Sequence, residues 1–138
     1  MATFSTLDFV IDGGVARITL NRPDAANGIS LQLAQELLQA SLACRCSPEV
    51  RAVLLTGTGR MFCAGGDLNG FVERAADLQA FIKELTTYLH AAIANFAHMR
   101  APLIVAVNGA AAGAGFSLAA CGDLVLAARS AKFSMAYT

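Results

Sequence analysis

The sequence predicts a single α/β domain spanning residues 1–138. Three observations carry this. Short β-type apolar runs alternate with stretches of helical periodicity, which is the pattern of an α/β domain. No linker, repeat or low-complexity segment interrupts the chain. Its 138 residues are enough for one ordinary core.

The elements follow in order. "FVIDGGVARITLN" alternates around Gly13-Gly14 and predicts a hairpin of two strands. "NRPDAANGIS" reads as a loop. Ser30 then opens a run with Leu31, Ala34, Leu37, Leu38 and Leu42 at helical spacing, and serine is a favourable N-cap. Pro48 lies beyond its end. "RAVLLTG" predicts a buried strand, followed by a loop in "TGRMFCAGGDL". The spacing of Leu78, Phe81, Ile82, Leu85, Leu89, Ile93 and Phe96 predicts an amphipathic helix from Asp77 to about His98. "LIVAV" is a buried strand. A helix is expected from about Ala114 to Cys121, and "LVLAA" and "KFSM" as two more strands.

Composition narrows the function. Formal net charge is +0 and the basic residues are scattered, so nucleic-acid binding and a basic membrane anchor are not expected. Charged residues make up 14% of the chain, against about 25% in typical soluble domains, and hydrophobic residues make up 56%. Such a surface needs partners, or a further part of the fold, to cover it. The N-terminus lacks the pattern of a secretory signal, so a cytoplasmic location with reduced Cys44, Cys46, Cys63 and Cys121 is expected. The cysteine spacing does not resemble a zinc site.

The stretch "NGAAAGAGFSLAACGD", Asn108–Asp123, admits four readings. A membrane span is disfavoured by Asn108 and by the break from β-type residues to glycine. A dinucleotide fingerprint fails because Leu118 holds the third glycine position. Close packing and tight turning explain the small residues structurally. A backbone donor site explains them chemically: unpaired N–H groups at a helix N-terminus, bare of side chains, can meet a ligand oxygen. "MFCAGGDL", Met61–Leu68, has the same character, with Asp67 expected to cap a new helix. Two such junctions could polarise one carbonyl from two sides. Cys63 as a nucleophile lacks a neighbouring histidine, and His90 and His98 lie apart from it on the long helix.

"FCAGGDL", "PLIVAVNGAAAGAGFSLAACGD" and "ITLNRPDAANGIS" together resemble the enoyl-CoA hydratase/isomerase family of the crotonase superfamily. The resemblance runs from about Phe9 onward. It implies the ClpP/crotonase fold, a superhelix of repeated ββα turns, here truncated before a C-terminal helical region. It implies a coenzyme A thioester as substrate, no permanently bound cofactor or metal, and a homotrimer or hexamer for the full-length form. By motif position, the oxyanion donors would be the N–H groups of Gly66 and Ala114, the latter replacing a glycine common in the family. Arg22, Asp24, Ala25, Ala64, Asp67 and Leu68 would lie near the acyl-CoA. Ser117 and Tyr137 stand where typical hydratases carry two glutamates, and neither hydroxyl is suited to proton transfer at neutral pH. The proton-transfer residue is therefore expected beyond Thr138. Glu73 and Glu84 fall toward the active-site side by the same analogy and read as solvated helix charges. A catalytically silent acyl-CoA- or partner-binding module, or an inactive fragment, is the alternative.

Overall fold

A computed structural model describes residues 3–136. The chain runs β1 (Leu7–Asp12), β2 (Val15–Leu20), α1 (Leu31–Cys46), β3 (Ala52–Gly57), β4 (Met61–Cys63), α2 (Leu68–Glu73), α3 (Leu78–His98), β5 (Leu103–Val107), β6 (Ala110–Ala112), α4 (Ala114–Ala120), β7 (Leu124–Ala127) and β8 (Phe133–Ser134). Single 3-10 turns occupy Pro23–Ala25 and Ala75–Asp77.

The strands build two sheets. One has the order β1-β2-β3-β5-β7; its first pair is antiparallel and the rest are parallel. The other is the short parallel sheet β4-β6-β8. After the β1–β2 hairpin and α1, the turns that begin at β3 and β5 each add one strand to each sheet and then a helical return, which is the expected ββα superhelix. The hairpin turns at Gly13 and Gly14, whose φ values of 59° and 82° suit glycine.

The sequence reading missed β4 and β6 as strands. Each has three residues, and β6 is three alanines, a weak strand former. Their conformation comes from pairing with neighbours rather than from local preference.

The core lies between the large sheet and the helices. Ile18, Leu20, Val53, Leu55, Leu103 and Val105 are fully buried with Leu33, Ala34 and Leu37 of α1, and Phe81, Leu85 and Phe96 of α3 are nearly so. Truncating such a fully buried leucine to alanine costs about 2–5 kcal/mol. Ser30 caps α1 as expected, its Oγ accepting from the Leu33 N–H at 3.1 Å. Leu42, counted on the apolar face of that helix, is instead 49% exposed, and the buried polar residue Glu36 was not anticipated. Glu36 accepts hydrogen bonds from the backbone N–H and the hydroxyl of both Ser5 and Thr6, so the N-terminal segment is fastened to α1.

No helix among the described residues is long and apolar enough to cross a membrane.

Candidate active site

Parallel pairing of β4 with β6 sets their C-terminal ends side by side. Crevices at such ends are the usual ligand positions in parallel α/β sheets. Here the crevice is formed by two junctions, β4 to α2 and β6 to α4. Glycine is required at both. Gly65 has φ 98°, and a Cβ on it would stand 2.9 Å from the Ala112 carbonyl oxygen and 3.5 Å from the Ala114 nitrogen. A Cβ on Gly115 would collide with the Cys63 carbonyl. The two junctions are therefore in contact, and only hydrogen atoms fit between them.

An account of the backbone donors here separates the structural from the free ones. Ala64 donates to the Ala26 carbonyl at 3.1 Å, Asp67 to Ile29 at 3.1 Å, and Gly113 to Ser134 at 2.9 Å. Among the described residues of the cavity wall, the N–H groups of Gly65, Gly66, Leu68 and Ala114 have no oxygen acceptor; Gly66 and Ala114 are the pair contributed one by each junction at the motif positions. Ala114 is the first residue of α4, where an unpaired N–H is inherent to the helix. The Gly115 N–H also lacks an acceptor there, but Gly115 is not part of the cavity wall.

Gly66 and Ala114 both line one cavity of about 700 Å³. Its small-residue side also holds Ala25, Gly28 and Ala64; its apolar side is Phe71, with Ile82, Leu85 and Leu89 of α3. Phe71 rests directly on Gly66, since a Cβ there would meet the ring at 2.7 Å. Leu68, 71% exposed, lines the cavity as well. Asp67 is the one ionisable side chain in this wall among the described residues. It accepts from the Asn69 N–H at 3.0 Å, capping α2 as expected, and pairs with Arg22 at 2.9 Å.

Some of the expected site residues lie elsewhere. Arg22 is outside the wall; its guanidinium serves the Gly28 carbonyl and Asp67. Asp24 lines a second cavity of about 920 Å³ with Thr58, Arg60, Asn108 and Lys132, toward the opposite ends of β4 and β6. Ser117 is exposed on α4 and does not line the first cavity. Tyr137 lies outside the described residues. Glu73, Glu84, His90 and His98 are all exposed. Cys63 is fully buried, and burial pushes its thiol up to about 11. That is the wrong direction for a nucleophile. No cluster of His, Cys, Asp or Glu among the described residues could hold a metal.

Two asparagines to which the sequence reading assigns no role in the site position the junctions. Asn27, fully buried with φ 54°, donates to the carbonyls of Thr58 and Met61 and accepts from the Arg22 N–H. Asn108 accepts from the Gly57 N–H and donates to Gly59. Their only signal in the sequence is an amide side chain set among small residues, where loop carbonyls need donors.

The family model for enoyl-CoA hydratase/isomerase matches residues 10–138. The chain belongs to the enoyl-CoA hydratase/isomerase family. A Rhodobacter capsulatus protein named "Probable enoyl-CoA hydratase" is 40% identical, over 99% of this chain and 51% of its own length. The 1,2-epoxyphenylacetyl-CoA isomerase of Escherichia coli is 39% identical, over 93% of this chain and 49% of its own. A solved enoyl-CoA hydratase from Polaromonas sp. JS666 superposes with a TM-score of 0.87 at 35% identity, covering 95% of this chain and 51% of that one. The chain thus spans about half the length of the curated relatives it matches, and its fold is the corresponding part of the crotonase fold.

Proposed function

We propose that this member of the enoyl-CoA hydratase/isomerase family binds an acyl-CoA thioester and polarises its carbonyl between the N–H groups of Gly66 and Ala114. One observation carries the reading: the two donors lack acceptors among the described residues and share one wall of one cavity. Preorganised donors act where negative charge develops, as on the oxygen of a thioester enolate. The small residues beside them admit a ligand oxygen, and the apolar side contributed by α3 suits an acyl chain.

The wall also bounds what this part of the protein does. Its single carboxylate, Asp67, is already committed to Arg22 and to capping α2. Binding and polarisation are the roles of the described residues, and proton transfer in a hydratase or isomerase reaction falls to a group outside this wall. The same observation favours the second reading, an acyl-CoA-binding module without turnover.

Calorimetric titration with an acyl-CoA and with its thioether analogue, which lacks the carbonyl, tests the proposal. The thioester is expected to bind at least about tenfold more tightly, the effect of one good hydrogen bond to a charged or polarised oxygen. Equal affinities would remove the donor pair from the account.

A further inference from the structure

One neighbour explains why position 66 holds glycine. The φ of Gly66 is not in the left-handed region, so its backbone does not by itself call for glycine. The three atoms nearest a Cβ built there all belong to the Phe71 ring: Cζ at 2.7 Å, Cε2 at 3.4 Å and Cε1 at 3.6 Å. The tip of that ring occupies the space beside one of the two donors.

Phe71 is fixed in this place. α2 has no buried residue, and Phe71 is the member of it that packs against the core. Its ring meets Phe81 edge to face, with 5.9 Å between centroids and 78° between planes. Phe81 is itself buried on α3 and lies under the Arg74 guanidinium at 5.0 Å, whose Nε donates to Asp77 at 2.9 Å. Gly70 leaves room for the stack, since a Cβ there would come within 3.2 Å of Phe81.

A thioester carbonyl held by Gly66 and Ala114 sends its acyl group toward the apolar side of the cavity. Phe71 is the residue of that side that touches the donor. The α-carbon, one bond from the carbonyl carbon, must pass it. A branch at the α-carbon adds bulk beside a ring that already excludes a methyl group at Gly66. We propose that Phe71 is a specificity-determining residue of this site and restricts it to acyl groups without a branch at the α-carbon. The inference rests on the acyl-CoA reading and goes beyond it: the backbone donors do not select among thioesters, and the ring beside one of them does.

Calorimetric titration with butyryl-CoA and isobutyryl-CoA tests it, because the two differ only in where one methyl group is attached. The wild-type chain is expected to bind butyryl-CoA at least about tenfold more tightly, the discrimination one methyl group gives in a packed pocket. Phe71→Ala is expected to bring the two affinities together. A general loss of structure would lower both and leave their ratio alone. Phe71→Leu keeps an apolar anchor for α2 and is expected to narrow the ratio too; it serves if Phe71→Ala disturbs the circular dichroism spectrum. The contact is also read without ligand. Gly66→Ala is expected to lower the urea midpoint of the wild type, and to lower that of Phe71→Ala by less. Equal affinities in the wild type, a ratio unchanged in both Phe71 variants, or a Gly66→Ala loss as large in Phe71→Ala as in the wild type would each overturn the proposal. Binding of neither thioester would overturn the acyl-CoA reading, and the proposal with it.

Discussion

Arg22 and Asp67, 45 residues apart, form an ion pair at 2.9 Å that locks the loop after β2 to the junction between β4 and α2. Asp67 also caps α2, so one carboxylate fixes both the start of a helix and one edge of the cavity. Both side chains are largely shielded, at 22% and 13% exposure, so solvent screens the pair less than at an open surface.

Asp67→Ala removes the cap and the ion pair together. Stability is expected to fall by about 1–2 kcal/mol, read as a lower urea midpoint. Asp67→Asn keeps a capping oxygen and is expected to lose less.

Gly115→Ala drives a methyl group into the Cys63 carbonyl across the contact between the two junctions. Overpacking of this kind costs about 1–3 kcal/mol or more. A denaturation curve of Gly115→Ala that overlays the wild type would contradict the described contact.

Ala114→Pro separates the donor from the fold. Position 114 opens α4, where proline is well accommodated and where the N–H makes no hydrogen bond among the described residues. The melting temperature is expected to stay within a few degrees of the wild type, while the preference for thioester over thioether is lost.

Glu36 gives the chain a pH dependence. Burial raises its pKa, but the hydrogen bonds from Ser5 and Thr6 together outweigh burial and leave it below the ordinary 4.5. A depressed carboxylate contributes stability that is complete above the unfolded value and lost as pH falls through the folded value. Glu36→Gln is therefore expected to be destabilising at pH 7 and progressively less so below about pH 4.5. A destabilisation constant from pH 7 to pH 3 would show that the charge of Glu36 does not matter.

Thiol labelling reads the burial of the small sheet. Cys46 is exposed, whereas burial pushes Cys44, Cys63 and Cys121 up to about 11. At pH 8 an alkylating agent is expected to modify Cys46 first, and Cys63 only after denaturant is added, as followed by intact mass.

The junctions were legible in the sequence because their constraint is severe. Where a Cβ would strike a carbonyl, as at Gly115, the chain can hold only glycine, and the spacing of those glycines shows directly. The helices were legible for the usual reason, an apolar face at 3.6-residue spacing. The short strands β4 and β6 were not, because partners rather than local residues make them extended. The positioning roles of Asn27 and Asn108 were not legible because they satisfy carbonyls distant in sequence. Arg22 reads equally as a ligand contact or a solvated charge until Asp67 is found beside it.

The most direct test of the central claim is the ultraviolet absorbance of an aromatic enoyl-CoA titrated with the folded chain. Conjugation carries carbonyl polarisation into the absorption band, so the account predicts a saturable red shift that Ala114→Pro abolishes. Saturable binding with no shift in the wild type, or a shift of full size in Ala114→Pro, would contradict it.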